Sequence, residues 1–431
     1  MFAILFTVVY LVYGVFNLSG KIDGYNLSNV MQISIIVLLS GLYAYSKKDS
    51  KYKREYILAY VVRLMLLLFS VYGRNIALLP FDGCDTEHFY SAVYEKEAHV
   101  EYGKDFLVTM TATLSYLLGD ARLLYQYIML VITMLGLKLT ELSLKELEID
   151  DKVTHVCLFL AAVFPSFAMF GIIYSREAIV STGTVGSFLL FVRYLKEKNT
   201  FRKLMYVILS LTIVIVTCLF HAAPAAVLVG YIGAILVYDY GSDKYRVTIR
   251  SAFASAFFLL FLIAIFFLYP SAFEKLRGIS DVKSIAGRFM FDSNLEAGSS
   301  YAQYVGDSDT WGRFIFFTPI RMFYGMFAPF PWEWRGLADV ATFFSNSLFY
   351  LVVCLIAVVN VFRRNYWSNF NRLYAFTLTC AAIMVGWGSV AFGTAIRHRD
   401  KFFLLFVVLL AIELCGKNKR VVGDCSTESG K

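Results

Sequence analysis

Residues 200–240 read TFRKLMYVILSLTIVIVTCLFHAAPAAVLVGYIGAILVYDY. Behind the basic flank Arg202 and Lys203 comes an uncharged apolar stretch, 204–220, and after His221 a second one, 222–239, repeats it. A helix needs ~20 predominantly apolar residues to cross the ~30 Å of hydrocarbon in a bilayer, so each stretch reads as a transmembrane span. Working outward, the same pattern predicts helices at 2–18, 28–46, 56–73, 121–140, 153–172, 177–194, 251–269, 341–361, 373–392 and 402–415. The expected fold class is all-α: a polytopic integral membrane protein of about 12 transmembrane helices, with a long outer loop containing interfacial helices.

Composition agrees. Of 431 residues, 58% are hydrophobic and only 17% are charged. The mean hydropathy is +0.63, outside the range of soluble globular domains. A single transmembrane domain is expected over 1–416, with outer loops at 74–120 and 270–340, and a polar cytoplasmic tail over 417–431. The first stretch lacks a basic leader and a small-residue cleavage site behind it, so it reads as a retained helix. The seven cysteines are scattered through apolar runs without CxxC or metal-ligand spacing, which suits packing. Neither a metal nor another cofactor is called for.

The net charge of +8 reports topology before it reports partners, so no nucleic acid is implied. Lys47, Lys48, Lys51, Lys53 and Arg54 crowd the connection after the second helix, which the positive-inside rule assigns to the cytoplasm. Both termini then fall inside. So do the basic loops at 193–203, 244–250, 363–372 and 417–420, whereas SLKELEIDDK, 143–152, is an acidic inner loop. This requires 106–118, at 13 residues, to be a re-entrant or interfacial helix rather than a span.

Four polar constellations then lie on the outer side. GRNIALLPFDGCDTEHFY, 73–90, holds Asp82, Asp85, Glu87 and His88. Asp85 or Glu87 could act as a general base toward a sugar hydroxyl; the alternative is a solvated loop of ordinary acids. FPSFAMFGIIYSREAIVS, 164–181, interrupts one helix at Pro165 and opens the next with Arg176 and Glu177. An arginine at that depth is costly unless it faces a partner or cavity, and its planar fork suits a phosphate; an intramolecular or capping pair is the alternative. The long outer segment carries Arg288 and then RFIFFTPIRMFYGMFAPFPWEWRG, 313–336, with Arg321, Trp332 and Arg335. It is either an interfacial belt or the wall of a groove whose tryptophan meets sugar rings and whose arginines meet a diphosphate. Arg397, His398, Arg399 and Asp400 form a turn before the last helix, where positive charge outside runs against the topogenic bias. An anionic ligand or an ion pair with Asp400 would explain it, and His398 is a second candidate base. Arg63, within the third helix, reads as a snorkelling or paired side chain, and His221 as a packing histidine or a ligand.

The order of these features resembles a family. A basic inner loop, a third helix, Arg74, then DTEHFY at 85–90, YSREAIV at 174–180, KEKNTFRK at 196–203 and FHAAPA at 220–225 are similar to EpsG and Wzy-type polysaccharide polymerases over roughly 30–240. Glu177 stands where glutamine is more usual in that family, and APFPWEW and GTAIRHRD lie outside its core. The resemblance implies a multi-pass protein of the bacterial cytoplasmic membrane. Such a protein joins undecaprenyl-(di)phosphate-linked glycan repeat units on the outer face, among membrane lipids and other polysaccharide assembly proteins. On that reading Asp85, Glu87 and His398 are catalytic, and Arg74, Arg176, Glu177, Arg288, Arg321, Trp332, Arg335, Arg397 and Arg399 bind substrate. A GT-C-like glycosyltransferase using a polyprenyl-phosphate sugar, and a lipid-linked glycan flippase or transporter, remain as alternatives.

Overall fold

The computed structural model describes residues 2–91, 106–239, 244–245, 311–362, 368–389 and 391–415. Apart from one two-residue antiparallel pairing, Tyr238–Asp239 with Lys244–Tyr245, these residues are helical or connecting. Among them six helices are long and apolar enough to cross a membrane: Tyr25–Ser46, Lys53–Tyr72, Arg122–Glu146, Arg176–Lys196, Thr200–Phe220 and Leu337–Phe362. Shorter apolar helices include Phe2–Leu18, Phe106–Leu118 and Phe403–Cys415. Residues 251–269, expected as a span, lie outside the described residues, as do Arg288 and the tail after Cys415. Contacts divide the chain into two compact units, Met1–Leu137 with Leu158–Ile179, and Lys138–Cys157 with Val180–Lys431.

In the first unit, α1 (Phe2–Leu18), α2 (Tyr25–Ser46), α3 (Lys53–Tyr72), α4 (Cys84–Ser91), α5 (Phe106–Leu118) and the start of α6 (Arg122–Glu146) pack around tyrosines. Tyr60 Oη lies 2.8 Å from Ser40 Oγ and 2.6 Å from Tyr127 Oη, so two buried tyrosine hydroxyls and a half-buried serine satisfy one another in an otherwise apolar setting. Tyr10 donates to the Leu124 carbonyl at 3.1 Å. The 13-residue α5 lies against α1, where Gly14 leaves the room that Leu117 occupies and Asn17 donates to the Leu117 carbonyl at 3.1 Å.

The span expected at 153–172 is two helices, α7 (Asp151–Val163) and α8 (Pro165–Phe170). Phe164 is extended, φ −61° and ψ 116°, because the proline ring crowds a helical conformation at the residue before it. The break is answered by Arg63 from α3. Its Nη2 donates to the Ala161 carbonyl at 3.1 Å and its Nη1 to the Ala162 carbonyl at 2.9 Å, with the guanidinium over the Phe167 ring.

In the second unit, α9 (Arg176–Lys196) from Val180 onward, α10 (Thr200–Phe220) and α11 (Ala225–Val237) are held by small residues. Gly183 faces Thr217 and Gly230 faces Thr377 so closely that a Cβ would overlap either threonine. Close approach through small residues is what helix pairs use in lipid, where hydrophobicity alone drives no association. Asn199 caps α10 by accepting from the Phe201 and Arg202 amides at 3.0 and 3.2 Å. The acidic 143–152 loop is not isolated, since Glu146 accepts from Arg193 Nε at 2.8 Å. The helix Thr318–Phe327 presses against Asn369–Trp387 at Gly325 and Gly386, and every residue from Phe403 to Glu413 of the last helix is buried. That last helix is therefore the unit's centre.

Candidate functional site

The first unit gathers its charges where α3 ends, α4 lies and α6 begins. Arg74 follows the Gly73 that closes α3, and Arg122 opens α6. Both donate to one oxygen, Oε1 of Glu87 on α4: Arg122 Nη2 at 2.8 Å, and Arg74 Nη1 in a short ion pair. Arg122 Nη2 also lies 3.5 Å from Asp82 Oδ1. Asp82 is buried and takes the Ser70 hydroxyl in a short hydrogen bond, while Ser70 Oγ accepts from Gln126 Nε2 at 3.0 Å. Glu87 keeps 43% of its side chain exposed. Burial alone would raise its carboxyl, but hydrogen bonds and charge from Arg122 and Arg74 outweigh that and hold it below the usual carboxylate range.

Aromatic rings floor this cluster. The Arg122 guanidinium sits 5.1 Å from the Tyr90 ring centre, and Tyr90 donates a short hydrogen bond to Asp120. Arg176, on the first turn of α9, places its guanidinium 5.3 Å from the Phe89 ring, and Glu177 beside it is buried. Thus Arg74, Arg176 and Glu87, expected from sequence, belong to one neighbourhood of α4. Arg122 was not expected, although an arginine opening an apolar helix is the same signal that marks Arg176. The backbone of Asp85 lies in α4, and its side chain falls outside the described residues.

The expected turn at 397–400 is instead the last turn of the helix Phe392–Asp400, and its four polar residues divide by face. Arg399 is fully buried and committed to protein acceptors. Nη1 donates to the carbonyls of Met326 and Ala328 at 2.9 and 3.0 Å, Nη2 to Ser347 Oγ at 2.8 Å, and Nε to Asn346 Oδ1. Those carbonyls end the helix Thr318–Phe327, where a cation also meets the negative end of the helix dipole. Asp400 accepts from Asn346 Nδ2 and from Tyr350 Oη, each at 2.7 Å. Asn346 therefore bridges the two charges. A π-turn, Phe343–Ser347, delivers Asn346 and Ser347. This geometry makes Arg399 a positioning residue for the 325–330 backbone rather than an exposed anion ligand.

His398 points the other way. Its ring packs against Gly388, where a Cβ would lie 2.7 Å from Nδ1, and stands 5.1 Å from the His221 ring at 70°. His221 closes α10, and its Nδ1 accepts the Ala223 amide at 3.1 Å, so in the neutral ring the proton resides on Nε2. Arg397 is half-buried on the same helix. Arg321 is buried on the helix Thr318–Phe327, and Arg335 is exposed with its backbone N–H on Asp339 at 3.0 Å. Trp332, 67% exposed, caps a stack on Phe330 and then Phe323, at 4.7 and 5.0 Å between ring centres.

Glu333, not singled out by sequence, is buried within the same loop. Its Oε2 accepts the Phe330 amide at 2.8 Å, and burial pushes its carboxyl up despite the opposing Phe330 amide and Arg335. Among the described residues no group of three or more His, Cys, Asp or Glu side chains is arranged to hold a metal ion. No family model, curated protein or solved structure matches this chain.

Proposed function

We propose that this chain is a membrane glycan transferase. In its specific form it is a polymerase of about 12 spans in a bacterial cytoplasmic membrane, with both termini inside, joining undecaprenyl-diphosphate-linked repeat units on the outer face. The observation that carries the reading is the convergence of Arg74 and Arg122 on Glu87, with Arg176 against the same short helix. Diphosphate is the leaving group of the proposed reaction. An acceptor hydroxyl attacks the anomeric carbon of the donor chain, the bond from that carbon to the diphosphate oxygen breaks, and the hydroxyl proton passes to a base. Guanidinium groups preorganised at the membrane surface stabilise the charge that develops on the departing oxygen.

Glu87 is the weaker base candidate, because two arginines hold it ionised. Asp85 keeps that role beside these arginines, and His398, in the second unit, stays a candidate base considered by itself. Trp332, with its exposed ring face, suits a sugar ring, and Arg397 a second anionic group. Arg288, Arg321, Arg335 and Glu177 remain substrate-binding candidates.

A second reading, a lipid-linked glycan flippase or transporter, is favoured by the broken helix α7–α8 beside buried Arg63, and by the π-turn beside buried Arg399 and Asp400. Interrupted helices with buried charges are the usual makings of a transport site. Deleting the gene and resolving lipid-linked and surface glycans by gel and mass spectrometry separates the readings. Single repeat units on the carrier without long chains support the polymerase. Truncated units indicate a GT-C-like glycosyltransferase, and complete units trapped on the cytoplasmic face indicate a flippase.

A further inference from the structure

Two guanidinium groups aimed at one carboxylate oxygen use only a small part of what they can donate. Each arginine carries five N–H donors, and a single oxygen of Glu87 takes one from each. Arg122 Nε, although buried, has no hydrogen-bond partner among the described residues. The same holds for two side chains nearby in the fold, Thr86 Oγ1 on α4 and Gln126 Oε1 one turn along α6, both nine-tenths or more buried. Buried polar atoms normally find partners, so donors and acceptors left over around an arginine pair point to a further polar group belonging there.

The two acids beside the arginines differ in how firmly they are held. Asp82 is 1% exposed and pinned by Ser70, which Gln126 holds in turn; this fixed carboxylate orients Arg122. Glu87 is 43% exposed and bonded, among the described residues, to the arginines alone, so it can turn outward to water without leaving a buried charge behind. Beneath them Tyr90, tied to Asp120, gives the Arg122 guanidinium a flat floor.

We infer that Arg74 and Arg122 form a clasp for a phosphate or diphosphate group, and that the Glu87 carboxylate occupies the position of one of its oxygens. Ligand binding displaces Glu87 toward solvent. A diphosphate brings more charge and several acceptor oxygens where Glu87 brings one charge and one engaged oxygen, so the exchange adds hydrogen bonds to both arginines. Glu87 is then a positioning residue that keeps the arginines parallel and uncollapsed and competes with the ligand. The inference deepens the transferase reading and rests on it only for the source of the diphosphate, a lipid-linked carrier.

The test uses the purified full-length chain in detergent, titrated with inorganic pyrophosphate and, separately, with undecaprenyl diphosphate. Removing the competing charge in Glu87→Gln tightens binding of both by about tenfold, and Arg122→Gln or Arg74→Gln weakens it by about tenfold or more. A purely structural ion pair gives no gain in affinity for Glu87→Gln and no loss of affinity for the two arginine variants. The wild-type chain provides a second reading that does not depend on how Glu87→Gln folds. Carbodiimide coupling of Glu87 to an amine, mapped by mass spectrometry, rises when pyrophosphate is bound. Unchanged labelling with pyrophosphate bound, or absence of binding of either probe to folded wild type and Glu87→Gln, overturns the clasp. Tighter binding of the lipid than of pyrophosphate assigns the carrier as source. The reverse order supports the clasp with a soluble diphosphate and counts against the transferase reading, which the gene deletion tests independently.

Discussion

Arg63 donates to the carbonyl oxygen that Pro165 deprives of its helical partner. In a continuous helix the amide of residue 165 would bond to the Ala161 carbonyl, but proline has no N–H. Arg63 Nη2 supplies the missing donor at 3.1 Å, and Nη1 serves the neighbouring Ala162 carbonyl at 2.9 Å. A buried arginine within a span thereby has a backbone reason to be there. Arg63→Met leaves those carbonyls short of donors and destabilises the chain by about 2–4 kcal/mol. Pro165→Ala restores an amide at 165, so the double variant recovers about 1 kcal/mol or more of that loss. Thermal unfolding of the four proteins in one detergent measures the cycle. Strict additivity would break the link between the two residues.

Asn346 serves both charges of the buried pair, accepting from Arg399 and donating to Asp400 at 2.7 Å. Its replacement by alanine leaves each charge one partner short and costs about 3 kcal/mol, with Asn346→Asp worse because it sets a second carboxylate against Asp400. The melting temperature and the yield of monodisperse protein report this directly.

Arg397 and Arg399 should separate stability from function although they lie two residues apart. Arg399→Gln loses bonds to Met326, Ala328 and Ser347 and lowers the melting temperature. Arg397, half-buried where Arg399 is fully buried, should lose less stability than Arg399 on replacement by Gln while glycan chain formation falls. Equal melting of the two variants would remove the distinction.

The contact of Thr318–Phe327 with Asn369–Trp387 depends on Gly386. A Cβ there would stand 2.6 Å from Met322 N and 2.7 Å from the Arg321 carbonyl carbon, and backbone cannot yield as a side-chain tip can. Gly386→Ala therefore costs about 1–3 kcal/mol. Gly312→Ala, with nothing within 4 Å of its Cβ, is the control and should cost less.

Acid should weaken the first unit through Glu87. Its folded carboxyl lies below the ordinary value, so its pairing stabilises above the unfolded value near about 4.3 and is lost as pH falls through the depressed one. The melting-temperature gap between wild type and Glu87→Gln should accordingly shrink between about pH 6 and about pH 3. A gap independent of pH would mean that Glu87 contributes shape rather than charge.

Hydropathy alone located the helices of the described chain closely: the expected 28–46, 56–73 and 177–194 are Tyr25–Ser46, Lys53–Tyr72 and Arg176–Lys196. Local apolar content and length suffice there because a helix satisfies its own backbone, whatever it packs against. Breaks were legible only where a residue announces them. Pro165 was visible in the sequence as an interruption, whereas the π-turn at Phe343–Ser347 falls within a stretch, 341–361, that reads as one continuous span and carries no proline or glycine to announce a break.

The polar residues divide along the same line. Sequence could mark Arg74, Arg176, Glu87, Arg397 and Arg399 as costly in their setting, because the expense of an ionisable group near lipid depends on residue type and depth. Whether the cost is met by protein or left to a ligand depends on partners distant in the chain. Arg399 is answered by carbonyls and hydroxyls 52 to 73 residues away, and Arg122 meets Glu87 across 35. The length and apolar content of its stretches therefore determined that the described chain is helical and where its helices run. Only tertiary structure decided which arginines are bound into the fold and which face Glu87 at an accessible edge, since hydrogen-bond satisfaction belongs to the packed chain and not to any one segment.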